Sequence, residues 1–303
     1  VSSNKTVTTG TLALADGSNG GLAANYTLSG GTHQLTVNQR PLIATLARQY
    51  DATTTAAGSD LSSFNDLQGG ETLSVSGSGT ATSANVANSI AMANNGTLAL
   101  ADGTGLASNY SLNSTIINIS QRVLSSSGSK IYDANTDAIA ANITLSNLAS
   151  SETLNHSGTA SIGSANAGSY TITNLSGVSI ADGSNGGLAS NYTLTGGTHN
   201  FTVNQRAISL SGTRLYDATT NAAASDLSTM ANLVGSETLT LSGTGSIASA
   251  NVSSNKTVTT GTLALADGSN GGLAANYTLS GGTHQLTVNQ RPLIATLARQ
   301  YDS

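Results

Sequence analysis

The chain contains neither cysteine nor tryptophan in 303 residues. Without cysteine it has no disulfide, no thiolate metal ligand and no thiol nucleophile. Such avoidance suits a large exported chain, for which free thiols are a hazard. Charge is almost as scarce, with Asp, Glu, Lys and Arg together at 8%, against about 25% in ordinary globular chains. Only ten Lys and Arg are present, scattered, with a net charge of −5. A nucleic-acid partner needs a basic stripe, and none exists. Aromatic residues make up 4%, and there are two prolines. No apolar run approaches the roughly 18 residues of a membrane-spanning helix. So polar a composition raises disorder as an alternative. Leu, Ile and Val recurring at alternate positions in a non-simple sequence exclude it.

What fills the space is repetition. Val1 to Asp51 returns letter for letter as Val252 to Asp302, and the match ends where Ala52 is answered by Ser303. Inside this long period lies a shorter one. The dipeptide Tyr-Asp begins at Tyr50, Tyr132, Tyr216 and Tyr301, at spacings of 82, 84 and 85 residues. Fixed-period self-similarity marks a chain built by stacking units. The expected layout is the C-terminal half of a module (1–40), three modules (41–122, 123–206 and 207–291) and the first strand of the next (292–303). On this reading the chain is a window on a longer array, in which no signal peptide is expected. The near-perfect long period reads as a duplicated triplet of modules.

The third module shows the expected local structure. Ala207 to Tyr216 alternates, placing Ile208, Leu210, Arg214 and Tyr216 on one face of a strand. An Ala/Thr/Ser-rich stretch follows, in which Ser225-Asp226-Leu227 offers a cap for one short helix. Glu237–Leu241, Lys256–Leu265, Asn276–Leu279 and His284–Val288 read as β structure, with turns at Asp267–Gly272 and Gly281-Gly282. Short strands punctuated every 8 to 12 residues predict an all-β class. The array is therefore read as small antiparallel β modules of about 84 residues, each a β-sandwich or β-grasp-like sheet, strung in tandem. Joints fall at Asn38-Gln39-Arg40 and its echoes ending at Arg122, Arg206 and Arg291. Modules this small are marginal alone, so contacts between neighbours are expected to add stability.

Residues present in every copy are the candidates for structure or binding. Arg or Lys two places before Tyr-Asp recurs as Arg48/Tyr50/Asp51, Lys130/Tyr132/Asp133, Arg214/Tyr216/Asp217 and Arg299/Tyr301/Asp302. Asn-Tyr recurs at Tyr26, Tyr110, Tyr192 and Tyr277. The favoured reading is that each ring fills the core and its hydroxyl bonds a backbone group; the rival is a row of ligand-facing tyrosines. All three glutamates, Glu71, Glu152 and Glu237, stand in Glu-Thr-Leu, and Asp16, Asp102, Asp182 and Asp267 in Ala-Asp-Gly. These acids read as turn formers and as salt-bridge partners of the recurrent Arg. His33, His199 and His284 share a Gly-Thr-His context that Ile116-Ile117 replaces in the first module, so they read as surface or strand-edge residues. No catalytic motif is recognisable, and no enzyme activity, cofactor or resident metal is expected. One carboxylate per Asp-Gly turn makes structural calcium a minor alternative.

The module resembles the YDG domain and the related MBG repeats of filamentous-haemagglutinin-like bacterial surface proteins. The resemblance rests on Lys130 to Thr136 (KIYDANT), Ser151 to Leu154 (SETL), Ala165 to Gly168 (ANAG) and Leu188 to Leu194 (LASNYTL). One departure is consistent and bears on turn geometry: the glycine usual after Tyr-Asp is Ala52, Ala134, Ala218 or Ser303. The resemblance implies a secreted adhesin or matrix fibre on a Gram-negative cell surface, and carries no catalytic residues. The expected function is therefore a structural stalk or filament supporting adhesion or biofilm, with neighbouring modules as the main partners. Two alternatives stand beside it. Each repeat binds a glycan or host protein, or identical chains assemble through lateral contacts or exchanged strands.

Overall fold

A computed structural model describes residues 1–172 and 174–301. The chain is all-β, as expected, with short 3-10 turns and no α-helix among the described residues. It divides into two compact units. One comprises residues 1–122 with 148–153 and 184–193; the other comprises 123–147, 154–183 and 194–303.

The first unit is built on a six-stranded sheet. Its strand order is Thr55–Ala57, Ser78–Ala81, Ala87–Asn94, Tyr110–Ser120, Arg40–Gln49 and Leu61–Phe64. The antiparallel expectation holds for the flanking pairs, but Arg40–Gln49 runs parallel to Tyr110–Ser120 along its whole length. Such strands cannot be joined by a hairpin, and here they open and close the module with all its other strands between them. Alternation does the burying: Leu42, Ala44 and Leu46 point into the core, as do Ile117 and Ile119 on the partner strand. A smaller ribbon pairs Leu73–Ser76 with Ala99–Asp102. Ahead of this sheet, Ser2–Thr6 pairs with Gln34–Val37.

The second unit repeats the plan. A six-stranded sheet runs Asn221–Ala223, Thr244–Ile247, Ser253–Thr259, His284–Asn289, Ser209–Leu215 and Thr229–Ala231. Its central pair, Ser209–Leu215 and His284–Asn289, is again parallel. A four-stranded sheet runs Ile143–Ser146, Ser125–Ile131, His199–Asn204 and Gly168–Thr171. It too has a parallel pair of first and last strands at its centre. This mixed order departs from the all-antiparallel module expected, and a three-stranded sheet (Asp137–Ile139, Leu154–Ser161, Val178–Asp182) shares its core. The proposed helix at Ser225-Asp226-Leu227 is a single 3-10 turn, Ala224–Asp226, and Asp226 closes it from the far end by accepting the Ala223 N–H at 3.2 Å.

Two strands of identical sequence meet different fates. Leu35 is 55% exposed whereas its copy Leu286 is fully buried, because among the described residues Gln34–Val37 has no parallel neighbour and His284–Asn289 has one. Leu46 is fully buried in Arg40–Gln49, while its copy Leu297, in a segment with no regular structure, is 93% exposed. Asp302 and Ser303, the last residues of the fourth Tyr-Asp motif, lie outside the described residues.

Candidate functional site

The recurrent residues converge on a joint that is built twice. In the first unit, Tyr50 leaves the end of Arg40–Gln49 and its hydroxyl donates to Glu152 Oε1 at 2.6 Å. Tyr192 donates to the other oxygen, Oε2, at 2.5 Å, and its hydroxyl accepts the Ala149 N–H at 3.0 Å. The two rings meet edge to face, 5.4 Å apart at 79°, a geometry that sets the positive edge of one ring against the negative face of the other. In the second unit, Tyr132 and Tyr277 hold Glu237 at 2.7 and 2.6 Å, the Val234 N–H meets Tyr277, and the rings again lie 5.4 Å apart. All four rings are buried. Each Glu thus spends both oxygens on phenols.

Three further contacts surround each joint. Asn191 accepts the Val86 N–H at 3.0 Å and donates to Asn85 Oδ1; Asn276 does the same with Ala167 and Asn166. Gln121 and Gln205 reach the carbonyls of Ser190 and Ala275. Arg122 and Arg206 donate to the backbone carbonyls of Tyr50 and Tyr132, at 3.3 and 3.2 Å. The tyrosine strand is therefore held by side chain and main chain together.

The residue pair flanking each Tyr aims it. Lys130 Nζ and Arg214 Nη1 form ion pairs with Asp133 and Asp217 at 2.8 and 3.0 Å, and Arg48 pairs with Asp51 in the same way. The cations also bond carbonyls of the following turn, at Thr53, Asn135 and Thr219. Each Asp accepts the N–H two residues on. For Asp217 the Thr219 N–H is the main cause of a carboxyl held below its ordinary range, with Arg214 adding to it. The residue between is Ala52, Ala134 or Ala218, with φ of +66, +60 and +64°. The departure from glycine leaves the left-handed turn intact and places a Cβ where it is disfavoured.

Burial raises the phenol pKa values in the joint, and the bond to a carboxylate raises them further. Tyr132, Tyr192 and Tyr277 are pushed up to about 12, and Tyr50 higher still. Tyr110 is raised chiefly by its bond to Glu71.

The joint has the same bonds at both places where it is complete. The YDG domain profile matches the chain three times, over residues 34–117, 119–201 and 198–285. The chain belongs to the YDG domain family. No curated protein and no solved structure matches it. Within the YDG repeats of this chain, the Tyr-Asp motif provides one half of the joint and the Glu-Thr-Leu and Asn-Tyr motifs the other.

Several expectations change. The glutamates are partners of tyrosine rather than of arginine, because they emerge beside the Asn-Tyr ring while the Arg–Asp pairs close their own turn. The joint hydroxyls donate to carboxylate, and the backbone bond they make is an accepted one. His199 and His284 are buried, not at the surface: each ring seals the turn before it through a contact to Leu194 or Leu279 oxygen at 2.8 Å. Asp16, Asp102 and Asp267 do form turns, each accepting an N–H at 2.7 Å from the residue that opens the 3-10 turn beyond. Tyr26 and Tyr216 lie outside any complete joint and are exposed. Asn191 and Asn276 also belong to the joint, and their signal in the sequence is the Asn fixed before each recurrent Tyr.

Proposed function

We propose that this YDG array is a structural spacer: the stalk or filament region of a secreted bacterial surface adhesin or matrix fibre, supporting adhesion or biofilm. The observation carrying this reading is the joint itself, built at Tyr50/Glu152/Tyr192 and again at Tyr132/Glu237/Tyr277 with the same bonds. The residues that a ligand-binding or catalytic reading would call on are engaged in holding successive repeats together. A buried carboxylate shared by two phenols also resists rotation about the link, which a spacer needs and a flexible tether does not.

The test uses the producing cell. Antibody against the array is expected to label intact cells, and in-frame removal of residues 123–206 to shorten the displayed structure while leaving export and tip-dependent attachment in place. Label confined to permeabilised cells, or attachment lost in proportion to repeats removed, refutes the spacer reading; the second result favours repeats that bind a host surface themselves.

A further inference from the structure

The turn that follows Tyr132 gathers an amine, a carboxylate and a carboxamide. Lys130 is buried, and its Nζ lies 2.6 Å from the Asn135 side-chain oxygen, 2.8 Å from the Asn135 carbonyl oxygen and 2.8 Å from Asp133 Oδ1. The other oxygen of the same carboxylate, Oδ2, accepts from Asn135 Nδ2 at 3.0 Å. Asp133 therefore bridges the amine and the nitrogen of the carboxamide. The carboxamide is itself held in place. Its oxygen accepts the Asp137 N–H at 2.9 Å, and the Asn135 N–H donates to Asp133 Oδ1 at 3.1 Å. The side-chain carbon of Asn135 is one C=O bond, about 1.23 Å, beyond the oxygen that Nζ already touches.

The other two modules supply the contrast. Arg48 and Arg214 stand in the place of Lys130, and Thr53 and Thr219 in the place of Asn135. The ion pair with the following Asp survives this exchange. What differs is reactivity, because a guanidinium does not give up its proton and threonine has no carboxamide. Lysine and asparagine thus occur together in one turn, and an ion pair alone needs no carboxamide.

We propose that Lys130 and Asn135 become joined by an isopeptide bond that the folded chain forms by itself. The Lys130 ammonium gives one proton to Asp133 Oδ1, and the neutral Nζ attacks Cγ of Asn135. Negative charge develops on the Asn135 oxygen, where the Asp137 N–H already points. Asp133 Oδ2 delivers the proton to Nδ2. The Nζ–Cγ bond has then formed, the Cγ–Nδ2 bond breaks, and ammonia leaves. The second Nζ proton follows through Asp133 to the ammonia, which departs as ammonium and carries away the charge of the lysine. The carboxylate ends as it began, and nothing is oxidised or reduced. Fixing the three groups in one turn replaces an encounter by an intramolecular step. The product ties the turn that aims Tyr132, and the inference is independent of where the array is displayed.

Intact-mass spectrometry of the whole chain, incubated folded at neutral pH and then denatured, tests it. The chain is expected to be one ammonia lighter than its sequence requires. Trypsin, which cuts after a free lysine or arginine, is expected to leave residues 123–206 in one piece, with fragment ions joining positions 130 and 135. Lys130→Arg restores the residue that the other two modules carry and is expected to fold, by circular dichroism, and to show the full sequence mass. Asp133→Asn keeps nucleophile and carboxamide and is expected, when folded by the same measure, to lose ammonia about a hundredfold more slowly or not at all. A wild-type chain at full sequence mass and cut at Lys130 overturns the proposal. So does ammonia loss that persists in Lys130→Arg, since a succinimide formed at an asparagine needs no lysine. Cross-linking at an undiminished rate in Asp133→Asn overturns the proton transfer assigned to that carboxylate.

Discussion

A buried carboxylate held by two phenols is a demanding arrangement for a single residue. Glu152 is buried, and both of its oxygens rely on Tyr50 and Tyr192. Glu152→Ala is expected to cost about 3 kcal/mol, since hydrogen bonds to charged groups contribute about 1.5–3 kcal/mol each and two donors are left unpaired. Glu152→Gln should cost less, and a cycle with Tyr50→Phe should show a coupling of about 1–2 kcal/mol in urea unfolding. The alanines at positive φ predict the opposite sign. Ala52→Gly, Ala134→Gly and Ala218→Gly remove a Cβ from left-handed backbone and should each stabilise by about 0.5–1 kcal/mol, the strain relieved exceeding the entropy glycine adds to the unfolded chain. Thermal melts of the triple variant check this. That these residues mattered was legible from their recurrence; which of them meet was not. Tyr50 and Glu152 are 102 positions apart, and a period says that residues are equivalent without saying which copy touches which. The histidines illustrate the other limit. Gly-Thr-His looks like a polar strand edge, and only the return of the chain over Leu194 or Leu279 gives the ring a buried acceptor.

At the scale of elements, the strands were legible because alternation and Asx-Gly turns are local signals. The parallel pairing of first and last strands was not, because nothing short-range distinguishes it from an antiparallel one. On the other side of the first strand, strand and 3-10 turn come so close at Gly212 and Gly128 that a methyl group has no room. A Cβ on Gly212 would lie 1.7 Å from the Asp226 oxygen, and one on Gly128 2.4 Å from that of Asn142. Gly212→Ala should therefore destabilise by about 3 kcal/mol or more, read from the urea midpoint. The joint also gives an alkaline limit. Its phenols have folded-state pKa values near 12 for Tyr132, Tyr192 and Tyr277, above the value of about 10 in an unfolded chain. The stabilisation is complete below about pH 10 and is lost as pH rises through about 12. Ultraviolet titration of tyrosinate should show a late step coinciding with unfolding, and Glu152→Gln with Glu237→Gln should shift that step to lower pH.

For the whole molecule, stretching separates a chain of linked modules from one fused core. Pulled from its ends, the array is expected to give successive unfolding events, each releasing about 84 residues, or roughly 28–30 nm of extended chain before the folded length is subtracted. A single event releasing the whole length would contradict independent modules. Tyr132→Phe should lower the force of one event and leave the others in place.

The uniformity of the joint also bears on how such a gene changes. Because the tyrosine half and the glutamate half are the same at each link, any tyrosine strand fits any socket. Recombination that adds or removes whole periods, at whatever phase it cuts, therefore rejoins compatible halves. A break that does not restore the period strands a buried glutamate without its phenol. Copy number can drift freely while spacing cannot, which is the pattern left by Val1–Asp51 and its unaltered return at Val252–Asp302.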